Sequence, residues 1–587
     1  MTAKTRAAAS SAFAIALVGA LIERGMTDLV VCPGSRSQAL ALAAVEYEKR
    51  GDLTVHVKID ERSAAFFALG LGLETGVPAA VVTTSGTAIA NLSPAVLEAH
   101  HAASPLLLLT ADRPHEMRNI RSPQTTRQAE FFGDFVRFAA DIQAPETHFG
   151  QQSGLIDADI VSTAARLASD VWPEALRGPA HLNLAFREPL SDASIHDAEF
   201  FEAVRTSTVA AQPALNVATQ EPVESRAVHV LEGVVPTIVV AGLGAGSRAE
   251  EFAHTAQVPL LAEVTSGARF GREAIAHYRE LLRTELGEQV QRVIVFGSPN
   301  LSREVAQVFQ REGVESLVVR CDDGDVYNPG HTAQHVADDV VLSESYDTEA
   351  ARTWLGSWVV RNRELAERST TVHAPDTAAA RETGYKERSA YAKAELAAMR
   401  EPITRQMLTE AIWRATWPHD RLVVGASSLI RVLDSLAMPK NIRVFSNRGL
   451  SGIDGTISTA GGIAAASQAG GGAGVTRVLV GDVTALHDVG GMFWGADEPR
   501  PRMLLIVGND GGGTIFDNLE VAQSADQQAF DRVMYTPQSV SFEHLASAYG
   551  WTYEQVTNRS ELERTLTAPV VGLTLLEVKL SRRQTQQ

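Results

Sequence analysis

The chain has only two cysteines in 587 residues, Cys32 and Cys321, in unrelated contexts. That excludes a disulfide framework and a thiolate-held metal cluster, and a reducing cytoplasm is the expected compartment. Basic residues are also short: 52 Lys+Arg face 70 Asp+Glu, a formal charge of -18. No general basic surface exists to hold nucleic acid or anionic lipid, so anionic ligands need locally concentrated arginines. Long apolar runs are missing too. The run Ala12 to Ile22, preceded by Lys4 and Arg6, imitates a signal peptide. It is too short to span a bilayer and leads straight into Glu23-Arg24-Gly25, so it is expected to be the opening helix of an α/β domain, with no membrane span elsewhere. No Gly-x-Gly-x-x-Gly opens an N-terminal strand-helix unit, which sets a nicotinamide oxidoreductase aside; Gly242-Leu-Gly-Ala-Gly246 is a weak imitation.

What is present is 45% apolar residues and a length suited to about three domains. Short β-branched runs alternate with Ala-rich helical periods: Leu29 to Cys32, Ala79 to Thr83, Leu106 to Leu109, Thr237 to Val240, Val293 to Phe296, Leu422 to Val424, Val478 to Val480 and Leu504 to Val507. Apolar strands separated by helices predict α/β domains with parallel sheets covered by helices on both faces. Domains are expected at 1–190, 225–365 and 402–587, joined by linkers at 191–224 and 366–401. The first and last of these repeat one another. Leu29-Val-Val-Cys-Pro-Gly-Ser-Arg36 is answered by Leu422-Val-Val-Gly-Ala-Ser-Ser-Leu-Ile-Arg431, and the segment from Ile59 by that from Ser446. Val81 to Thr87 is answered by Val478 to Asp482, and Leu106 to Asp112 by Leu504 to Asp510, at an offset of about 390 to 400 residues.

The second copy carries the densest chemistry. Gly481-Asp482 and Asn509-Asp510-Gly511-Gly512-Gly513-Thr-Ile-Phe516 each follow an apolar strand, at the edge where open parallel sheets bind ligands. Neighbouring strand ends bring Asp482 and Asp510 within reach of one hard cation, with backbone carbonyls and diphosphate oxygens completing an octahedral magnesium shell. The glycines allow backbone to approach phosphate.

This pattern resembles thiamine diphosphate enzymes, whose metal motif begins Gly-Asp and ends in an Asn-rich turn. Six segments resemble in particular the family of 2-succinyl-5-enolpyruvyl-6-hydroxy-3-cyclohexene-1-carboxylate synthases of menaquinone biosynthesis. They are Cys32-Pro-Gly-Ser-Arg-Ser37, Asp60-Glu-Arg62, Thr84-Ser-Gly-Thr87, Leu109-Thr-Ala-Asp-Arg-Pro114, Gln124-Thr-Thr-Arg-Gln128 and Ser446-Asn-Arg-Gly-Leu-Ser-Gly-Ile-Asp-Gly455.

The resemblance implies a pyrimidine-binding domain, a central domain without cofactor and a diphosphate-binding domain. It implies a homo-oligomer of at least two subunits, a dimer or tetramer, with the cofactor between subunits. It implies that Glu61 sets the tautomer of thiamine diphosphate, and that Thr84, Ser85, Gly86, Ile453, Gly481, Asp482, Thr484, Ala485, Asp510, Gly512, Ile515 and Phe516 hold the cofactor. Asp482, Asp510 and Gly512 would ligate Mg2+ or Mn2+.

The implied substrates are 2-oxoglutarate and isochorismate, and the implied reaction is decarboxylation followed by 1,4-addition. Four substrate carboxylates call for arginine forks. Arg36, Arg113, Arg431 and Arg448 lie in the matching motifs, with Ser35, Gln124 and Ser427 as neutral partners and Arg303 reaching from the central domain. Three departures from the pattern stand out: Asp510 where an asparagine is usual, Pro123 before Gln124, and Val483 after Asp482. The rivals are another 2-oxoacid carboligase of the acetolactate synthase kind, against which the arginines argue, and a non-catalytic relative, against which Glu61, Asp482 and Asp510 argue.

Overall fold

The apolar runs pair in parallel throughout. In the computed structural model, which describes residues 9–145, 158–212 and 227–582, six strands form the first sheet. They are β1 (Asp28–Val31), β2 (Thr54–Val57), β3 (Ala80–Thr83), β4 (Leu106–Asp112), β5 (Phe138–Ile142) and β6 (Pro179–Ala185), in the order β2-β1-β3-β4-β6-β5. The central part holds β7 (Val228–Leu231), β8 (Thr237–Ala241), β9 (Leu260–Ala262), β10 (Arg292–Phe296), β11 (Glu315–Val319), β12 (His335–Ala337) and β13 (Asp339–Leu342). They make a five-stranded sheet, β12-β11-β10-β8-β9, and a β13-β7 pair.

The last sheet is β14 (Arg421–Val424), β15 (Arg443–Phe445), β16 (Thr476–Gly481), β17 (Met503–Asn509), β18 (Thr552–Val556) and β19 (Leu573–Lys579), in the order β15-β14-β16-β17-β19-β18. Counted from its own first strand, this order repeats that of the first sheet. The repeated segments fall on equivalent strands: β1 answers β14, β3 answers β16, and β4 answers β17, while the segments from Ile59 and Ser446 follow β2 and β15.

Both faces of the first sheet are covered. Leu29, Val31, Ala80, Val82, Leu107 and Leu109 share one core with the helix Ala9–Glu23, and the intervening Val30, Val81 and Leu108 are equally buried. In that helix every residue from Ala9 to Leu21 is buried, so its run of apolar residues is explained by enclosure within an α/β layer. No helix among the described residues is long and apolar enough to cross a membrane.

The segment 191–224, expected to be a linker, departs from that reading over its described part. It carries the helix Ala198–Ala211, capped by Asp197, and its Phe201 and Val204 enter the first core. Scattered charges on the exposed face hide Phe201, Val204 and Thr208, spaced i, i+3, i+7 on the buried one. Residues 213 to 226 lie outside the described residues. In 366–401 the helix Tyr385–Met399 buries no residue, and the preceding helix runs on to Ser369.

By contacts the chain forms two units. One comprises Met1–Glu224, Ile457–Ala469 and Asp488–Arg500; the other comprises Ser225–Thr456, Gly470–His487 and Pro501–Gln587. Within the first, two helices cross at glycines. A Cβ on Gly70 of the helix Glu61–Thr75 would lie 2.0 Å from the Thr459 carbonyl oxygen, and one on Gly462 would lie 2.0 Å from that of Phe67. Backbone against backbone leaves no room for a methyl group. This contact fixes the helix that begins with Glu61. Gly462→Ala should therefore destabilise the protein by about 1 to 3 kcal/mol. Gly356→Ala, on an exposed stretch of helix with nothing within 4 Å of its Cβ, should stabilise by about 0.5 to 1 kcal/mol. Urea unfolding of the two variants checks both signs.

Candidate active site

In the first unit the polar turns after β1, β3 and β4 meet at the carboxyl edge of the sheet. Gly34 packs so closely on Thr84 that a Cβ would stand 2.3 Å from the threonine Cβ. Arg36 is 8% exposed and donates to the Phe186 carbonyl at 3.0 Å. Burial pushes its guanidinium pKa down, and the neighbouring Arg113 adds to the push. Arg113 in turn donates to the Ser85 hydroxyl and the Gln124 carbonyl. Gln124 sits in the left-handed region at φ 55° and donates from Nε2 to the Ser85 carbonyl at 3.0 Å. A strained backbone held by its neighbours is typical of a site under functional constraint. Ser35, Arg36, Thr84, Ser85, Gly86, Arg113 and Gln124 thus gather in one place; Ser35 itself is exposed.

Glu61 opens its helix one residue after the cap Asp60, whose carboxylate accepts the amides of Arg62 and Ser63. Its half-buried carboxylate lies near enough to the Cys32 thiol to add, after burial, to the upward push on that thiol. Just upstream, Lys58 is 5% exposed, with Nζ 4.4 Å from the Phe67 ring centroid and 4.1 Å from that of Trp494. Burial pushes its pKa down to about 8, and the rings anchor the turn that delivers Glu61.

A buried polar network supports this edge, and the sequence reading missed it. The Gly86 amide donates to Gln128 Oε1 at 2.9 Å, and Gln128 Nε2 donates to Asn183 Oδ1 at 2.9 Å. Asn183 Nδ2 donates to Asp112 at 3.0 Å and to Asp141 at 2.7 Å. Arg118 pairs with both carboxylates. The Thr110 hydroxyl donates to Asn183 Oδ1 at 3.1 Å, so at 2.7 Å its oxygen accepts from His181 Nε2. Asp112 and Gln128 fell within the quoted motifs, but their partner Asn183 arrives from a distant strand.

In the second unit the turns after β14, β16 and β17 meet in the same way. Asp482 is 2% exposed; it accepts its neighbour's amide at 2.8 Å and Gln538 Nε2 at 3.0 Å. Burial pushes the Asp482 carboxyl up, and Asp510 adds to the push. Asp510 pairs with Arg405 and accepts the Thr514 hydroxyl at 2.7 Å. The Gly512 carbonyl accepts the Thr514 amide at 2.9 Å, keeping a second lone pair. A Cβ on Gly512 would lie 2.5 Å from the Tyr535 carbonyl oxygen, so glycine is required there.

Among the described residues no group of three His, Cys, Asp or Glu side chains is arranged to hold a metal. Two carboxylates close enough to interact, one raised in pKa by burial and by the other, still fit a hard cation completed by ligand oxygens. Gly481 ends β16, Thr484 and Ala485 are buried in the short helix Asp482–His487, and Ile453, Ile515 and Phe516 are half-buried.

Arg431 donates to the Ser427 carbonyl at 2.8 Å, and its pKa is pushed down by burial, then by Arg279 and Arg303. Arg279, which the sequence reading missed, is held toward Glu304 at 3.6 Å. Arg448 is committed within the protein. It is 3% exposed, and its Nε and Nη2 donate to Asn300 Oδ1 at 2.8 and 2.6 Å. The Asn300 and Leu301 amides donate in turn to the fully buried Glu263 at 2.8 and 2.6 Å.

The network below Gly86 yields a pH test. Burial pushes His181 down from its usual 6.5 to about 4. The unfolded chain therefore binds a proton between those values that the folded protein refuses. The contribution is present in full above pH 6.5 and is lost as pH falls toward 4, at up to about 1.4 kcal/mol per pH unit. His181→Gln removes the titration, so its stability relative to wild type should rise as pH falls through that window. Urea midpoints at pH 7, 5.5 and 4.5 check this; a constant difference would refute it.

Residues 12–134 match the family model for the N-terminal TPP binding domain of thiamine pyrophosphate enzymes. The chain is 50% identical to the 2-succinyl-5-enolpyruvyl-6-hydroxy-3-cyclohexene-1-carboxylate synthase of Leifsonia xyli subsp. xyli, over 97% of this chain and 96% of that one. It is also 50% identical to the synthase of the same name from Clavibacter michiganensis subsp. michiganensis, with the same coverage of 97% and 96%. Among solved structures, benzoylformate decarboxylase from Polynucleobacter necessarius superimposes with a TM-score of 0.64 at 15% identity, over 99% of this chain and 100% of that one, a likeness of fold. With three parallel α/β sheets, two of them in matching strand order, and half its residues shared along nearly its full length with named relatives, this chain belongs to the family of thiamine diphosphate-dependent 2-succinyl-5-enolpyruvyl-6-hydroxy-3-cyclohexene-1-carboxylate synthases.

Proposed function

We propose that the protein decarboxylates 2-oxoglutarate and adds the resulting succinyl unit to isochorismate in a 1,4-addition, as a step of menaquinone biosynthesis. Beside the family membership, the observation that carries the substrate assignment is the crowding of like charges. Arg36 lies beside Arg113 in one unit, and Arg431 beside Arg279 and Arg303 in the other. Glu304 near Arg279 and the acids near Arg36 offset part of this repulsion, a substrate carboxylate offsets more, and both proposed substrates are dicarboxylates. A monocarboxylate donor such as pyruvate leaves part of this charge unanswered.

Thiamine diphosphate, when bound, supplies the nucleophilic carbon and the electron sink for loss of carbon dioxide. The chain's residues bind and orient. Asp482, Asp510 and the Gly512 carbonyl hold Mg2+ or Mn2+ against the diphosphate. Gly481, Thr484 and Ala485 shape the turn there, and Ile453, Ile515 and Phe516 offer apolar surface to the rings. Thr84, Ser85 and Gly86 line the pyrimidine side, where Glu61 holds a proton at N1′. Ser427 and Arg431 take the distal carboxylate of 2-oxoglutarate. Ser35, Arg36, Arg113 and Gln124 take carboxylate or hydroxyl groups of the substrates, with Arg303 and Arg448. Orienting two anions in one complex converts a difficult carbon-carbon bond formation into an intramolecular event. The working unit is at least a dimer, in the cytoplasm, where Cys32 and Cys321 stay reduced.

Glu61→Gln should leave the fold and cofactor affinity close to wild type while lowering turnover by roughly 10²- to 10⁴-fold, because an amide cannot donate the proton that N1′ needs. Steady-state assay with parallel cofactor titration checks it; near-normal turnover would remove Glu61 from the chemistry.

The function itself is tested with purified protein, thiamine diphosphate, magnesium and isochorismate. 2-Oxoglutarate should release carbon dioxide and consume isochorismate, and pyruvate should do neither efficiently. In the same assay Arg431→Ala should weaken apparent affinity for 2-oxoglutarate by about 10- to 150-fold, one charge-assisted contact of about 1.5 to 3 kcal/mol. It should leave the weak pyruvate reaction unmoved. Equal effects on both donors would sink the Arg431 assignment.

A further inference from the structure

Glu61 stands between two cations, and one distant segment holds both. Lys58, just before it, donates from Nζ to the Phe493 carbonyl at 3.3 Å and lies over the Trp494 ring. Arg62, just after it, reaches with Nη2 to 3.9 Å from Asp488 Oδ1. Between these contacts the segment folds back on itself: the Gly491 amide donates to the Asp488 carbonyl at 3.0 Å, and the Phe493 amide to the Gly490 carbonyl at 3.1 Å. It packs so closely on the start of the Glu61 helix that a Cβ on Gly490 would lie 3.1 Å from Asp60 Oδ2 and from Ser63 Oγ.

Asp488 is the charged member of this segment, and it is 0% exposed. Its Oδ2 accepts the Ser458 amide at 2.8 Å, and its Oδ1 accepts the Ser458 hydroxyl at 3.2 Å. Ser458 lies in the first turn of the helix Thr456–Gln468, whose Gly462 crosses the Glu61 helix. Burial pushes the Asp488 carboxyl up to about 6, and the Ser458 donors and Arg62 pull against that push. Capping alone does not call for a buried charge, since asparagine or serine caps a helix as well. The charge answers Arg62.

We propose that Asp488 is a positioning residue for Glu61: by holding Arg62 and the start of the crossing helix at once, it fixes the direction in which the Glu61 carboxylate points. The Gly70 and Gly462 crossing fixes the middle of the Glu61 helix, and Asp488 and Lys58 fix its first turn. The inference rests on the reading of Glu61 as the group that holds a proton at N1′ of the cofactor. A slightly displaced carboxylate leaves the cofactor free to bind but serves N1′ poorly.

The test reads the task of Glu61 without turnover. It follows by NMR the exchange for deuterium of the thiazolium C2 proton of bound thiamine diphosphate, with magnesium and neither substrate. Glu61→Gln should slow this exchange by about 10²-fold or more. Asp488→Asn keeps an oxygen for the Ser458 amide and loses the charge. It should slow exchange by about 10-fold or more, while thiamine diphosphate affinity from calorimetry stays within about 3-fold of wild type. Arg62→Met removes the same contact from the other side and should act alike, and the two combined should be no worse than either alone. In a Glu61→Gln background, Asp488→Asn should change exchange by less than about 2-fold, because the carboxylate it serves is gone.

Normal exchange in Asp488→Asn or Arg62→Met, parallel losses of exchange and cofactor affinity, or a further slowing in the Glu61→Gln background would each overturn the proposal. Circular dichroism of the same samples separates misfolding, and a misfolded Asp488→Asn leaves the decision to Arg62→Met. Normal exchange in Glu61→Gln would instead overturn the reading of Glu61 itself. That failure is distinct from one in which Glu61→Gln slows exchange and Asp488→Asn does not.

Discussion

In a parallel sheet every strand leaves its chain at the same edge, and the candidate site depends on that constraint. The registers Leu29↔Ala80 and Ala80↔Leu107 align β1, β3 and β4 so that their following turns open side by side. Ser35, Thr84 to Gly86 and Arg113 become neighbours although nearly 80 positions of chain separate the first from the last (113 − 35 = 78). The second sheet of matching order does the same for Ser427, Asp482 and Asp510 through Val424↔Leu479 and Gly481↔Gly508. The apolar strands supply the cohesion, and the residues just past their ends, freed from the ladder, carry the polar chemistry.

That placement stores unfavourable electrostatics. A chain at -18 has no broad positive field to draw dianions, so attraction must come from arginines set close enough to depress one another's pKa. Burial deepens the conflict at Arg36 and Arg431. The fold offsets it locally. Asp112 and Asp141 are held by Arg118 and Asn183 beneath Arg113, and the Gly70 and Gly462 crossing locks the helix of Glu61. Rigid support around a frustrated site is what lets frustration persist.

The sheets were legible in the sequence because their strands are short apolar runs, and apolarity needs no partner to be recognised. Leu29, Val81, Leu106 and their counterparts Leu422, Val478 and Leu504 disclosed both the strands and their repetition. Glu61, Asp482 and Asp510 stood out for another reason: each is common in turns or helix starts taken singly, but together they follow apolar strands within the resembling motifs. What escaped depends on contacts between distant segments. Asn183 joins Gln128 to Asp112 from β6, and Asn300 reaches Arg448 across 148 positions. The helix Ala198–Ala211 passed for a linker because three buried positions are a weak signal among charges.

Asn300 also alters what the central domain contributes. An arginine with both edges in water offers many geometries to a carboxylate, and its recognition is correspondingly loose. With Nε and Nη2 both donating to Asn300 Oδ1, the buried Arg448 is held to one orientation. Asn300 is itself fixed because its amide donates to Glu263, a carboxyl with 0% exposure. Burial pushes that carboxyl up, with Asp434 adding to the push, and among the described residues its Oε2 has no hydrogen-bond partner. A buried carboxyl with one oxygen left unserved costs stability, and the cost is tolerable where its other oxygen ties down the Asn300 loop. The same part of the chain sends Arg279 and Arg303 toward Arg431. This part of the chain thereby constrains both Arg448 and Arg431, the arginines proposed above for substrate carboxylates.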